Sequence, residues 1–252
     1  MTSDISYGRW AAWLLPLVVV LLSGCATTQI TGWSQESYRS PNFNKGDFTN
    51  SSIAILPVII LTQPLEKASD RDSQVLSAPY TPQVSISKSD RELSAGTQDA
   101  YQLILSEMLL SKIQTKWAAP NLVSPGDALK RLNDEGFTEA YRRFNRDFPY
   151  TGFDEGILGN FGKALHCRFL LVSQAVVLES KPEASVTVVW TFGRKSMLRT
   201  VKISAQIWDA EGGRQLWEGS GIGYYTLSAY ETAPLMEETA SQAVESLIKI
   251  MP

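Results

Sequence analysis

SSIAILPVII, residues 51–60, is the stretch on which the fold turns. It is a short continuous apolar run, rich in Ile and closed by Thr62-Gln63-Pro64. A run of this length without polar alternation fits a strand covered on both faces, as in a sheet with helices packed on it. The folded part of the chain is therefore expected to begin here, and a domain is expected over residues 51–252.

Working toward the carboxyl end, residues 62–95 are polar, with three prolines and several Ser and Asp. A segment of this kind inside a domain is read as a long loop or insertion, and as a candidate contact region. In TQDAYQLILSEMLLSKIQTKW, residues 97–117, Tyr101, Leu105, Leu109, Ile113 and Trp117 recur every four residues. That period places them on one face of a helix. A short strand is expected at 121–123, followed by a helix with Ser124 as cap, Pro125 at the first helical position and Asp127 as reciprocal cap. Gly136 is expected to close that helix. Thr138 and Asp154 are read as caps of two further helices, ending near Asp147 and His166.

The remainder reads mainly as strands. RFLLVSQAVVLES (168–180) is one; residues 185–192 and 197–210 are expected to pair as a hairpin about Gly193-Arg194-Lys195. Val201, Ile203, Ala205 and Ile207 share a face by period two. After a tight turn at AEGGR, Gly219, Gly221 and Gly223 point one way on the next strand. They are read either as close backbone packing against a bulky group or as a candidate contact surface. The chain closes with a helix whose stripe is Met236, Ala240, Ala243, Val244, Leu247, Ile248 and Met251. Pro234, Glu237 and Glu238 at its start and Lys249 at its end suit the helix dipole. The order of elements implies one α/β (α+β) domain, a mixed sheet with helices packed on it.

Working toward the amino end, WAAWLLPLVVVLL (10–22) is 13 residues long. A bilayer-spanning helix needs ~20, and Pro16 interrupts the run. The run reads as a secretory signal. It ends in Leu22-Ser23-Gly24-Cys25, which resembles the lipobox of bacterial lipoproteins. The resemblance implies cleavage between Gly24 and Cys25, so that residues 1–24 are a signal peptide. It also implies diacylglycerol on the Cys25 sulfur and acylation of its new amino group. Ala26, in place of an Asp, implies sorting to the outer membrane, with the protein on its periplasmic face. Residues 25–50 are then expected to be the lipidated Cys and a flexible tether, Trp33 touching the membrane interface.

Within the domain the chain resembles a group of envelope proteins: the amino-terminal domain of TolB, the curli-secretion channel lipoproteins, and lipoprotein regulators of peptidoglycan synthases. The motifs are Ile53 to Val58, Leu122 to Pro125, Gly162 to Val172, and Trp208-Asp209-Ala210-Glu211-Gly212 followed by Leu216-Trp217. The resemblance implies a TolB amino-terminal-like fold and an adaptor or assembly role. It carries no catalytic residues. The curli channels insert two hairpins per subunit, whereas one is expected here, over residues 185–208.

Composition and motifs exclude several chemistries. A net charge of −3 gives no electrostatic reason to bind nucleic acid. Once Cys25 is acylated, Cys167 has no partner within the chain and reads as a buried structural thiol, with a reactive thiol as the alternative. His166 is the only histidine, which leaves no His-rich zinc site; a Ser-His-Asp arrangement would have to use it, but no Gly-x-Ser-x-Gly elbow is present, and Gly219-Ser220-Gly221 has the wrong spacing. GNFGKA (159–164) lacks the first Gly and the Ser or Thr of a phosphate loop. No cofactor and no enzymatic activity are expected. The leading expectation is an outer-membrane lipoprotein acting as a binding or assembly module in envelope biogenesis or transport, with a protein partner. Its alternatives are a subunit of an oligomeric export channel and a cell-wall enzyme with an unrecognised site; a homo-oligomer is compatible with the first two.

Overall fold

The computed structural model describes residues 30–41, 43, 46, 51–61, 95–117, 121–151, 155–179, 196–227 and 235–252. Seven strands and five helices lie among the described residues. In chain order they are β1 (Ile30–Arg39), β2 (Ile53–Ile55), β3 (Ile59–Leu61), α1 (Ala95–Trp117), β4 (Leu122–Val123), α2 (Pro125–Asp134), α3 (Thr138–Thr151), α4 (Glu155–Leu165), β5 (Phe169–Glu179), β6 (Ser196–Asp209), β7 (Arg214–Leu227) and α5 (Met236–Ile250). The strands make one mixed sheet, ordered β1-β7-β6-β5-β2-β4, with β3 also pairing β5. β5, β6, β7 and β1 are antiparallel neighbours. β2 and β3 run parallel to β5, and β4 runs parallel to β2. This is the single α/β domain that the order of elements implies.

The opening stretch forms two strands rather than one. Pro57 has no N–H to give to a ladder, and the pairing with β5 breaks there. Ile55 lies opposite Leu171, yet pairing resumes with Ile59 opposite Gln174, so this side carries one extra residue. The backbone polar groups that the break leaves without a ladder partner are buried and are met by α1. Ser106 Oγ accepts from Val58 N–H at 3.0 Å, and Gln102 Nε2 donates to the Val58 carbonyl at 3.0 Å.

Alternation along the central strands divides the core in two. Phe169, Leu171, Ala175 and Val177 of β5, with Val201, Ile203, Ala205 and Ile207 of β6, meet α1 and α5. Leu170 and Val172 of β5, with Trp208, meet α2, α3 and α4. On α1, Tyr101, Leu105, Leu109 and Ile113 are fully buried and Trp117 nearly so, as the four-residue period requires. Each such side chain stabilises the fold by roughly 1.5–3 kcal/mol relative to exposure. The far end of α1 is pinned to α5: Trp117 Nε1 donates to the Pro252 carbonyl at 2.8 Å, and Lys116 Nζ to those of Ile248 at 2.7 Å and Met251.

The α2 cap forms with one difference. Ser124 Oγ accepts from Asp127 N–H at 3.1 Å, but the Asp127 carboxylate accepts from the Ser124 hydroxyl instead of the backbone. Gly136, at φ +79°, closes α2 while Phe137 N–H donates back to the Leu132 carbonyl at 2.7 Å. Thr138 opens α3, its hydroxyl donating to Asn133 Oδ1 instead of capping. Asp154 lies outside the described residues.

Residues 25–50 do not form the expected tether throughout: Ile30–Arg39 is a full edge strand, β1, paired with β7 from Ile30 opposite Tyr225 to Arg39 opposite Trp217. The stretch carries no apolar alternation, because this edge strand buries none of its residues fully; it owes its form to pairing with a strand almost two hundred residues away, which local pattern cannot show. The hairpin expected between 185–192 and 197–210 is also displaced. β6 has β5 on one side and β7 on the other from Arg199 to Asp209, so neither edge of that length is free for residues 185–192, which lie outside the described residues.

Candidate functional site

A polar cleft of 1010 Å³ opens at the end of the sheet where β2 and β5 begin. Ser51 and Ser52 line it before β2, Gly159, Lys163 and His166 on and after α4, and Glu211 to Gly213 at the turn between β6 and β7. Ligands of open α/β sheets usually sit outside the carboxyl ends of parallel strands. This cleft lies outside the amino ends, so that general rule does not assign it.

The rim is built by the end of α4. His166 adopts φ +53° in the left-handed region, where histidine is one of the less unfavourable non-glycine residues. His166 N–H donates to the Lys163 carbonyl at 3.2 Å and Cys167 N–H to that of Gly162 at 2.9 Å. This pair of bonds is the left-handed helix stop in which glycine is usual. The His166 carbonyl then accepts from Ser52 Oγ at 2.7 Å, tying the helix end to the residue before β2. The sequence puts His166 at a helix end, and the structure keeps it there, exposed at the lip of the cleft.

Cys167 is buried, and its thiol donates to the Leu165 carbonyl at 3.3 Å. Burial pushes the thiol up, against smaller lowering effects from Ser52 and Arg131. A thiol held neutral is a poor nucleophile, so the structural reading of Cys167 is the one the geometry favours. GNFGKA lies inside α4: its backbone N–H groups are spent on the helix. The glycines serve contact instead, since a Cβ on Gly162 would collide with Ala210 and stand 3.0 Å from the Cys167 carbonyl oxygen.

Opposite the helix end, Asp209 is only 3% exposed. Its Oδ1 accepts from Gly212 N–H at 3.2 Å, and its Oδ2 lies 3.5 Å from Arg168 Nη2 and 3.7 Å from Arg214 Nη2. The Asp-small-x-Gly motif is thus a turn organised by one carboxylate, with Gly213 at φ +58° completing it. Arg168 also lies over the Phe169 ring, 4.9 Å from its centroid. The cleft offers Lys163, Arg168 and Glu211 as charges and Ser and Asn as neutral donors, and among the described residues that line it no nucleophile is paired with a base. Among the described residues no group of three His, Cys, Asp or Glu side chains is placed to hold a metal ion.

The strand glycines are not a contact surface for a ligand. Gly219, Gly221 and Gly223 are buried under α5. A Cβ on Gly223 would collide with the Thr239 carbonyl oxygen and stand 2.7 Å from Ala243 N, while one on Gly219 would collide with the Trp217 ring at 2.6 Å and stand 2.9 Å from Ile250 Cδ1. Of the two readings, close packing is therefore the one that holds: the bulky group is the helix at Gly221 and Gly223, and the Trp217 ring together with Ile250 at Gly219. Glu237 and Glu238 are exposed in the first turn of α5, as the dipole asks. Trp33, expected in a tether, is half-buried in β1. Gly24, Cys25 and residues 62–94 lie outside the described residues, and Ala95 opens α1.

No family model matches this chain, and no curated protein matches it. Among solved structures it is similar to the PelC dodecamer from Paraburkholderia phytofirmans, at 10% identity over 88% of this chain and 100% of that one, with a TM-score of 0.35. It is also similar to lipoprotein GNA1162 from Neisseria meningitidis, at 12% identity over 79% of this chain and 98% of that one, with a TM-score of 0.40. Likeness at these scores carries no argument about role.

Proposed function

We propose that this chain is an outer-membrane lipoprotein that serves as a non-catalytic, periplasmic binding or assembly module in envelope biogenesis or transport. The observation that carries the reading is Leu22-Ser23-Gly24-Cys25 at the end of a 13-residue apolar run. Among the described residues no helix is long and apolar enough to cross a membrane. In this reading attachment falls to the acylated Cys25; one acyl chain binds only marginally and two or three hold stably. The cleft supplies surface and charge, and its described lining residues hold no paired nucleophile and base, in keeping with binding.

Native co-purification of the lipidated protein in mild detergent, with mass spectrometry of the proteins that accompany it, tests the reading. Enrichment of a distinct envelope protein, lost in Cys25→Ser, supports it. Recovery of the protein alone, or turnover of purified peptidoglycan, contradicts it.

The outer edge of β1 favours a second reading, a subunit of an oligomeric export channel. Among the described residues β1 pairs only with β7, and an open edge strand is a template for joining another chain. A stable ring in detergent with conductance in planar bilayers supports that reading, and a monomer without conductance ends it.

A further inference from the structure

Only residues 26–29 separate Cys25 from Ile30, the first residue of β1. We infer that the end of the sheet at which β1 begins lies against the phospholipid surface, and that the cleft at the opposite end faces away from it. The inference rests on the acylation of Cys25 proposed above. A chain crossing from Cys25 to Ile30 reaches at most ~18 Å, at ~3.6 Å per residue. The anchor therefore holds one particular end of the domain near the bilayer, which a tether running to residue 50 would not do.

Strand register identifies that end. Ile30 lies opposite Tyr225 of β7, Leu227 opposite Ser196 of β6, and Arg199 opposite Glu179 of β5. The start of β1, the end of β7, the start of β6 and the end of β5 are thus together. β3 runs toward the same end, with Leu61 opposite Val176.

The helices agree. α5 crosses β7 with Thr239 near Gly223 and Ile250 near Gly219, so it starts at the anchored end. Lys112 pairs with Glu245 and Lys116 bonds to Ile248, so α1 runs parallel to α5 and also starts there. Residues 62–94, 180–195 and 228–234 consequently all join the described fold at the anchored end.

That end also carries Leu235, the residue before α5, 68% exposed. A large apolar side chain so exposed gains from a lipid surface held within reach. The cleft lies at the other end, where Phe169 faces Asp209. Ten steps along β5 at ~3.3 Å each put roughly 33 Å between the two ends, enough to keep the cleft clear of lipid headgroups.

The test uses the full lipidated protein, purified from cells and reconstituted in vesicles of phosphatidylethanolamine and phosphatidylglycerol. Leu235→Cys and Glu211→Cys place an environment-sensitive fluorophore at the anchored end and at the cleft, both at exposed positions. Doxyl-labelled lipid should quench the probe at 235 severalfold more than the probe at 211, and aqueous iodide should show the reverse order. Inserting a Gly/Ser linker of about 20 residues after Thr28 should erase the difference, because a flexible chain of that length no longer orients the domain. Equal or reversed quenching in protein whose Cys25 carries lipid overturns the orientation alone. Absence of lipid on Cys25, read by mass spectrometry of the same sample, overturns the anchoring and the orientation with it.

Discussion

Gly221 of β7 lies directly beneath Ala243 of α5, so close that a Cβ on the glycine would collide with the Ala243 carbonyl oxygen and with the backbone of Leu247. The atoms in the way are helix backbone and cannot swing aside. Gly221→Ala should therefore lift α5 off the sheet and cost about 3 kcal/mol, at the upper end of ordinary overpacking. Gly126→Ala is the control: it lies inside α2 with nothing within 4 Å of the added carbon. That change should leave stability unchanged or raise it by up to about 1 kcal/mol. Urea titrations of the two variants distinguish the outcomes.

The same glycines show what the sequence makes legible and what it hides. Their common direction along β7 follows from period two, and so does the alternative of packing or ligand. Choosing between the two requires knowing that α5 returns to this strand, which no local pattern states. α1 was readable to its five buried side chains because its four-residue period is local. β1 was not, since ITGWSQESYR is half polar, with mixed burial, and owes its form to a distant partner. At the cleft, the Asp209 motif was visible as a string of residues with Arg214 close by in sequence, while its pairing with Arg168 depends on where β5 begins.

Cys167 should resist modification in the native state. Its thiol is buried and pushed above the ordinary range, so thiolate is scarce at neutral pH. Iodoacetamide at pH 7.5 should label it slowly in the folded protein and quickly once urea unfolds the chain. Equal rates in both states would mean the site is open.

Asp209 should act as a turn organiser. Asp209→Ala removes the acceptor of Gly212 N–H and the partner of two arginines. The loss should be about 1–2 kcal/mol, limited because both arginines reach solvent. Asp209→Asn keeps an oxygen for Gly212 and should recover roughly half of it. Thermal unfolding at neutral pH gives both values.

The Lys112–Glu245 pair, 2.8 Å apart, should contribute weakly and with a defined pH dependence. The Lys112 hydrogen bond holds the Glu245 carboxyl below its ordinary value of 4.5. A depressed carboxyl stabilises the fold above its unfolded pKa, and the contribution fades as pH falls through the folded one. Both side chains are about two-fifths exposed, so screening keeps the effect near 0.5 kcal/mol or less. Glu245→Gln should show that small loss at pH 7 in low salt and none at pH 2 or in 1 M salt.

Anchoring through Cys25 can be read by mass spectrometry of the mature amino-terminal peptide isolated from bacterial membranes. That peptide should begin at Cys25 and carry diacylglycerol on its sulfur and an acyl group on its amine. A peptide that retains residues 1–24, or begins elsewhere without lipid, would contradict the anchoring.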